Sequence, residues 1–118
     1  MRFIFIVLFL VSFGSASMGG VGDVYFCEMK NFIELEDHVA RKYTLQKFKF
    51  KWEQSQIKFG KDGYFDEASI KIIWENEKRN MFEAHRVASH LMFQEGNFYW
   101  SQGSWDSVTS ISAKCDKF

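Results

Sequence analysis

The run Lys47-Phe48-Lys49-Phe50-Lys51-Trp52 decides the fold class. Side chains along an extended strand point alternately to opposite faces, so Phe48, Phe50 and Trp52 share one face and the three lysines share the other. That pattern describes an antiparallel strand with one face in a core and one in water. Glu53 to Ser55 reads as a turn into Gln56-Ile57-Lys58-Phe59, where Ile57 and Phe59 again face one way. Lys61-Asp62-Gly63 is a further turn signal, because Asp-Gly accepts the positive φ angles of tight turns.

Outward from this segment, the same period predicts strands at Val24 to Lys30, Ser69 to Glu75, Leu91 to Gln94, Phe98 to Ser101 and Val108 to Cys115. Within Ser69 to Glu75, Ile70, Ile72 and Trp74 are in phase, and Glu95-Gly96-Asn97 reads as the link of a short hairpin. Two segments admit two readings. Phe32 to Lys42 suits a loose helix or a strand and turn. Met81, Ala84, Val87, Ala88, Leu91 and Met92 suit helical spacing as well as they suit two short strands, and the alternating neighbours on both sides tip the balance to strands. The expected fold is all-β, a small antiparallel barrel or sandwich of about seven to eight strands with room for one short helix.

The N-terminus has a different character. Met1-Arg2 is followed by an apolar run from Phe3 to Phe13 broken only by Ser12. About eleven residues suit the apolar stretch of a secretion signal and fall short of the roughly 20 needed to cross a bilayer. Small residues at Gly14, Ser15, Ala16 and Ser17 place cleavage after Ala16 or Ser17. The expected organisation is therefore a signal peptide over 1–17 and one β domain over 18–118, secreted or periplasmic, with no stable membrane insertion once the leader is removed.

Loss of Arg2 from a chain with 15 basic and 15 acidic side chains leaves a net charge of about −1, which argues against a nucleic-acid partner. Aromatic side chains make up 19% of the sequence, and large rings bury much area per residue in a small core. Cys27 and Cys115 are the only cysteines and lie near the two ends of the domain. In an exported chain they read as one disulfide joining the first strand to the last. Such a seam is natural for a closed barrel, and in the chain-entropy picture closing a loop of nearly 90 residues stabilises the fold by roughly 4 to 5 kcal/mol.

No catalytic constellation is visible, and the chain reads as a non-enzyme without cofactor or metal. The histidines are His38, His85 and His90. On one strand His85 and His90 have opposite parity, and on a helix they stand about 140° apart, so neither geometry pairs them on a metal. Met81 and Met92 would add soft ligands, but methionine beside aromatics reads as core filler. No serine sits in a Gly-x-Ser-x-Gly elbow. Asp62, Asp66 and Glu67 read as a solvated loop without the alternating oxygen ligands of a calcium site.

Two surface features bear on binding. Lys47, Lys49, Lys51 and Lys58 form a basic stripe, read as a solvated outer face. Phe98-Tyr99-Trp100-Ser101-Gln102-Gly103-Ser104-Trp105 places four aromatics in eight residues across a strand and a turn. Alternation cannot turn Phe98, Tyr99 and Trp100 all inward, so at least one ring should lie near the surface unless a barrel pocket receives it; a ring there can stack on a sugar or anchor a protein interface, and the alternative is that these rings cover one end of the core.

The layout, from the Tyr-x-Cys start at Tyr25, Phe26 and Cys27 to a last strand ending in Cys115, resembles small exported single-disulfide β proteins. Among characterised groups it is most similar to the periplasmic inhibitors of C-type lysozyme, which are small antiparallel barrels. In that family an aromatic strand followed by a Lys-Gly turn lies near the lysozyme-binding surface. The match here is Tyr99-Trp100-Ser101-Gln102-Gly103, with Gln102 in place of the lysine. The family's Ser-Gly-x-x-Tyr loop has no counterpart in Ala88-Ser89-His90-Leu91-Met92-Phe93. The function expected is a non-enzymatic binding domain for a small apolar or sugar-like ligand, using Tyr99, Trp100 and Trp105 with Gln102 implied by the resemblance. The alternative is a protein-interaction or inhibitor domain.

Overall fold

A computed structural model describes residues 20–118. The leader reading of 1–17 lies outside these residues. Nine strands occur in this order: β1 (Val24–Glu36), β2 (Val39–Lys42), β3 (Lys47–Glu53), β4 (Gln56–Phe59), β5 (Ser69–Asn76), β6 (Met81–Arg86), β7 (Ser89–Gln94), β8 (Asn97–Gly103) and β9 (Ser107–Lys117). The one helical element among the described residues is a single 3-10 turn at Glu77–Arg79. Both two-way segments are strands. Phe32 to Lys42 is the second half of β1, a turn at Asp37-His38, and β2; Met81 to Met92 is β6, a turn at Val87-Ala88, and most of β7.

Each strand from β3 to β9 pairs antiparallel with the next, and β1 pairs with both β3 and β9. The sheet therefore closes on itself as an eight-stranded barrel, with β2 as an extra strand beside the second half of β1. Closure leaves few free edges to template association. The closing pair is the longest in the molecule, running from Tyr25↔Lys117 to Glu36↔Ser107. Cys27 and Cys115 are directly opposite in it and bonded. A disulfide across 88 residues of sequence is compatible with an extracellular or periplasmic location.

The expected alternation holds in β3, where Phe50 and Trp52 are buried and Lys47, Lys49 and Lys51 exposed. The interior is filled by rings. Phe50 lies 5.2 to 6.1 Å, centroid to centroid, from Tyr25, Phe59, Phe82, Phe93 and Phe98, mostly edge to face. Phe65, carried by the loop between β4 and β5, stacks on Phe59 at 4.2 Å and meets Trp100 edge-on at 5.2 Å, so the loop contributes to the core as well. Each fully buried ring of this size contributes about 1.5 to 3 kcal/mol relative to exposure. The polar tips of two core rings find partners at the rim: Trp52 Nε1 donates to Glu75 at 2.9 Å and the Tyr25 hydroxyl to Asn80 at 2.8 Å. Trp100 Nε1 is buried without a hydrogen-bond acceptor among the described residues. No polar or charged side chain is buried among the described residues, and none of the described helices is long and apolar enough to cross a membrane.

Two irregularities change the phase that alternation alone would set. Between Met29 and Asn31 the β1–β9 register shifts, so Tyr25, Cys27 and Met29 point inward before it and Phe32 after it. Between Ile72 and Trp74 the β5–β6 register shifts in the same way: Ile72 stands opposite Ala84, and Trp74 opposite Glu83. Trp74, expected in phase with Ile70 and Ile72, is therefore on the outside together with Ile73. A bulge adds one residue to one strand and re-aims the side chains beyond it. The Glu95-Gly96 link has positive φ at both residues, which fits the tight hairpin read from the sequence; a Cβ on Gly96 would come within 3.0 Å of the Cys115 carbonyl.

Candidate functional site

The outer faces of β5 to β8 form the candidate site. Hairpin pairing places Trp74 opposite Glu83, Glu83 opposite Met92, and Met92 opposite Tyr99, so one row crosses four strands. Glu83, Met92 and Tyr99 are held outward by inward neighbours on their own strands: Phe82 and Ala84 flank Glu83, Leu91 and Phe93 flank Met92, and Phe98 and Trp100 flank Tyr99, all buried, whereas Trp74 is turned outward by the bulge before it. Trp74 is 49% exposed, Met92 43% and Tyr99 56%, with Ile73 exposed beside them. With strands about 4.8 Å apart, the Trp74 and Tyr99 backbones stand about 14 Å from each other.

A cleft of about 640 Å³ lies along this row, lined by Trp74, Met81, Glu83, Met92, Gln94 and Tyr99. A second cleft, of about 310 Å³, lies on the other flank of Met92 and Tyr99, bounded by Ile33, His90 and Ser110. Met92 and Tyr99 thus form a ridge between two grooves. The two methionines expected as core filler are on this outer face instead, because β6 and β7 present Phe82, Ala84, Leu91 and Phe93 to the interior.

Next to the ridge, Glu83 Oε2 accepts from His90 Nε2 at 2.7 Å and from His85 Nε2 at 3.2 Å. A carboxylate only accepts, so both rings present Nε2–H to it. Hydrogen bonding from His90, with a smaller contribution from His85 and against partial desolvation, holds the Glu83 carboxyl below the usual carboxylate range. The two imidazoles pack edge to face with centroids 4.4 Å apart. This differs from the sequence expectation that they face apart. They lie on two strands, and the turn at Val87-Ala88 sets His85 directly opposite His90. Glu83, His85 and His90 form a compact group of three potential metal ligands among the described residues.

The four residues expected to bind are not brought to one place. Tyr99 lies on the ridge, whereas Trp100, its neighbour on β8, points inward and is buried. Gln102 is exposed near the barrel end and accepts from the Tyr64 hydroxyl at 3.4 Å. Trp105 sits fully exposed at the tip of the β8–β9 turn. The lysine stripe lies on the opposite side, where Lys47, Lys49, Lys61 and Lys114 alternate with Glu28, Asp62 and Asp116 around another groove. There the Glu28 carboxyl is held low by a hydrogen bond and charge from Lys30, with Lys47 adding to it. Asp66 accepts from the Asp62 amide at 2.8 Å, so these carboxyls order their own loop.

Sequence periodicity missed Ile73 and Trp74, hidden by the bulge, and Glu83, His85 and Met92, hidden by the unplaced hairpin. Placing the turn at Val87-Ala88 would have found the last three. Comparison of the chain with protein-family models, with curated proteins and with solved structures gives no match in any of the three.

Proposed function

We propose that this is an exported, non-enzymatic domain that binds a protein partner through the outer face of β5 to β8. The observation that carries the reading is the exposed row of Trp74, Met92 and Tyr99 on the outside of a barrel whose inside is already filled by rings. A small-molecule site encloses most of its ligand. A ridge between two shallow grooves instead matches a complementary protein surface, and aromatic residues and methionine are the types enriched where such surfaces meet. Glu83 stands between Trp74 and Met92 in this row, so the exposed apolar side chains come with a polar group that a protein surface can pair.

The resemblance to lysozyme inhibitors makes a C-type lysozyme, and then other cell-wall hydrolases, the first partners to assay. The expected result is tight one-to-one binding, seen as loss of lytic activity and by calorimetry. Trp74→Ala and Tyr99→Ala should each weaken it by about tenfold or more, the loss typical of a buried aromatic anchor. A partner whose affinity neither substitution changes would overturn the reading.

A second reading, a small apolar or sugar-like ligand, rests on the exposed rings of Tyr99 and Trp105. It predicts a change in tryptophan fluorescence with a glycan, lipid or peptidoglycan fragment, diminished by Trp105→Ala without unfolding.

A further inference from the structure

We propose that Glu83, His85 and His90 form a surface site for a divalent late-transition ion, zinc in the first place, bound through both Nε2 atoms and a Glu83 carboxylate oxygen. The site is independent of the protein-partner reading and stands whether or not the face has such a partner.

The geometry starts from the hairpin. Glu83 and His85 are two apart on β6 and so share the outer face, and His90 is the direct cross-strand partner of His85 on β7. The inward neighbours Ala84 and Leu91 are a buried cross-strand pair, which fixes the two strands beneath the cluster. Around a tetrahedral zinc with bonds of about 2.0 to 2.1 Å, neighbouring donor atoms stand roughly 3.3 Å apart. The Glu83 oxygen is already 3.2 Å from one imidazole nitrogen and 2.7 Å from the other, and the three donor atoms all lie within 4.8 Å of one another. Binding an ion requires the 2.7 Å pair to open by roughly 0.6 Å, a change within the reach of side-chain torsions at exposed and half-exposed residues.

Two imidazoles and a carboxylate are a borderline donor set that favours zinc, copper(II) or nickel over magnesium or calcium. On binding, each imidazole gives its Nε2 lone pair to the ion and carries its proton on Nδ1, so both rings stay neutral. The carboxylate supplies one negative charge against the two positive charges of the ion. Three protein donors leave a coordination position open to water or to a donor from another molecule. Lys71 is the cross-strand neighbour of His85 on its β5 side; it is exposed, so its flexible stem can carry the ammonium into solvent. Trp74, directly opposite Glu83, is a built-in reporter for a quenching ion.

The test uses untagged, disulfide-bonded, metal-free protein titrated with zinc by calorimetry, and with copper(II) by tryptophan fluorescence. The expected result is one ion per chain, with His85→Gln and His90→Gln each weakening binding by about tenfold or more and Glu83→Gln by less. The third histidine provides the control: His38→Gln, in the β1–β2 turn, should change nothing. Copper should broaden the imidazole proton resonances of His85 and His90 and leave that of His38 sharp. All three site substitutions are on the outer face, so each variant is expected to fold, which circular dichroism checks. Absence of saturable binding up to about 1 mM zinc overturns the proposal. So does binding that survives His85→Gln/His90→Gln or is lost in His38→Gln.

Discussion

The two sides of the barrel obey the same rule inside and opposite rules outside. On β3 and β4, the outward positions are Lys47, Lys49, Lys51, Glu53, Gln56 and Lys58, and Lys47 is paired with Glu28 at 3.6 Å. On β5 to β8 the outward positions include Trp74, Met92, Tyr99 and a cross-strand histidine pair. Inward, both sides send phenylalanine, tryptophan and isoleucine into one shared core. Packing therefore dictates only half of every strand, and the other half is free to carry charge on one side and apolar surface on the other. The charged side is what solubility and self-avoidance ask for. The apolar side has no such explanation, and that contrast is why the binding proposal rests on it.

The comparison can be broken or sharpened in order of expected effect. Phe50→Ala, in the core common to both sides, should cost about 3 to 5 kcal/mol by leaving a cavity among five rings; denaturant unfolding measures it. Replacing both cysteines, Cys27→Ser with Cys115→Ser, should remove about 2 to 5 kcal/mol while leaving the binding of the folded fraction intact on either side. Trp74→Ala should weaken partner binding by about 1.4 kcal/mol or more yet shift unfolding by no more than about 0.5 kcal/mol, since the ring lies on the outer face and is 49% exposed. If Trp74→Ala instead unfolds the domain, the outer row is structural and the two sides are not different in kind.

Tyr25→Phe separates rim from face. Burial pushes the Tyr25 phenol above its usual value, against a lowering from its hydrogen bond to Asn80 and with a smaller rise from Asp23. The folded state therefore holds the proton more tightly than the unfolded chain. The resulting stability is complete below about pH 10 and is lost as pH rises through the folded value. The variant should lose about 1 kcal/mol at neutral pH with the Asn80 bond and show a flatter alkaline decline, measured by thermal melts across that range. Least of all, Lys51→Gln on the charged side should change stability by under about 0.5 kcal/mol and leave partner binding untouched.

The core was legible because alternation is a local signal: Phe50, Trp52, Ile57 and Phe59 could be assigned a face from their spacing alone. Trp74 was not, since one extra residue at Ile73 inverts the phase and leaves no mark in composition. Met92 and the histidine pair were hidden for a different reason. Which face a residue occupies is set by its own strand, but which residue it meets depends on where the chain turns. Val87-Ala88, with neither glycine nor proline, gives no turn signal, although Ala88 adopts a φ of 59°. Tyr99 and Trp100 show both limits at once: the sequence separated their faces, but the barrel was needed to say which face was the outer one.

The joining of β1 to β9 also sets an order of events in time. The barrel cannot close until the last eleven-residue strand is present, because its partner is the first strand of the domain and the disulfide between them spans 88 residues. The hairpins from β3 to β8 can form from local contacts as the chain emerges, but the closing pairing is the most distant in the sequence and the slowest to find. A chain truncated before β9, at Ser107, would therefore display two unpaired edges and an open aromatic interior at once, a form that quality control can recognise by its exposed surface alone.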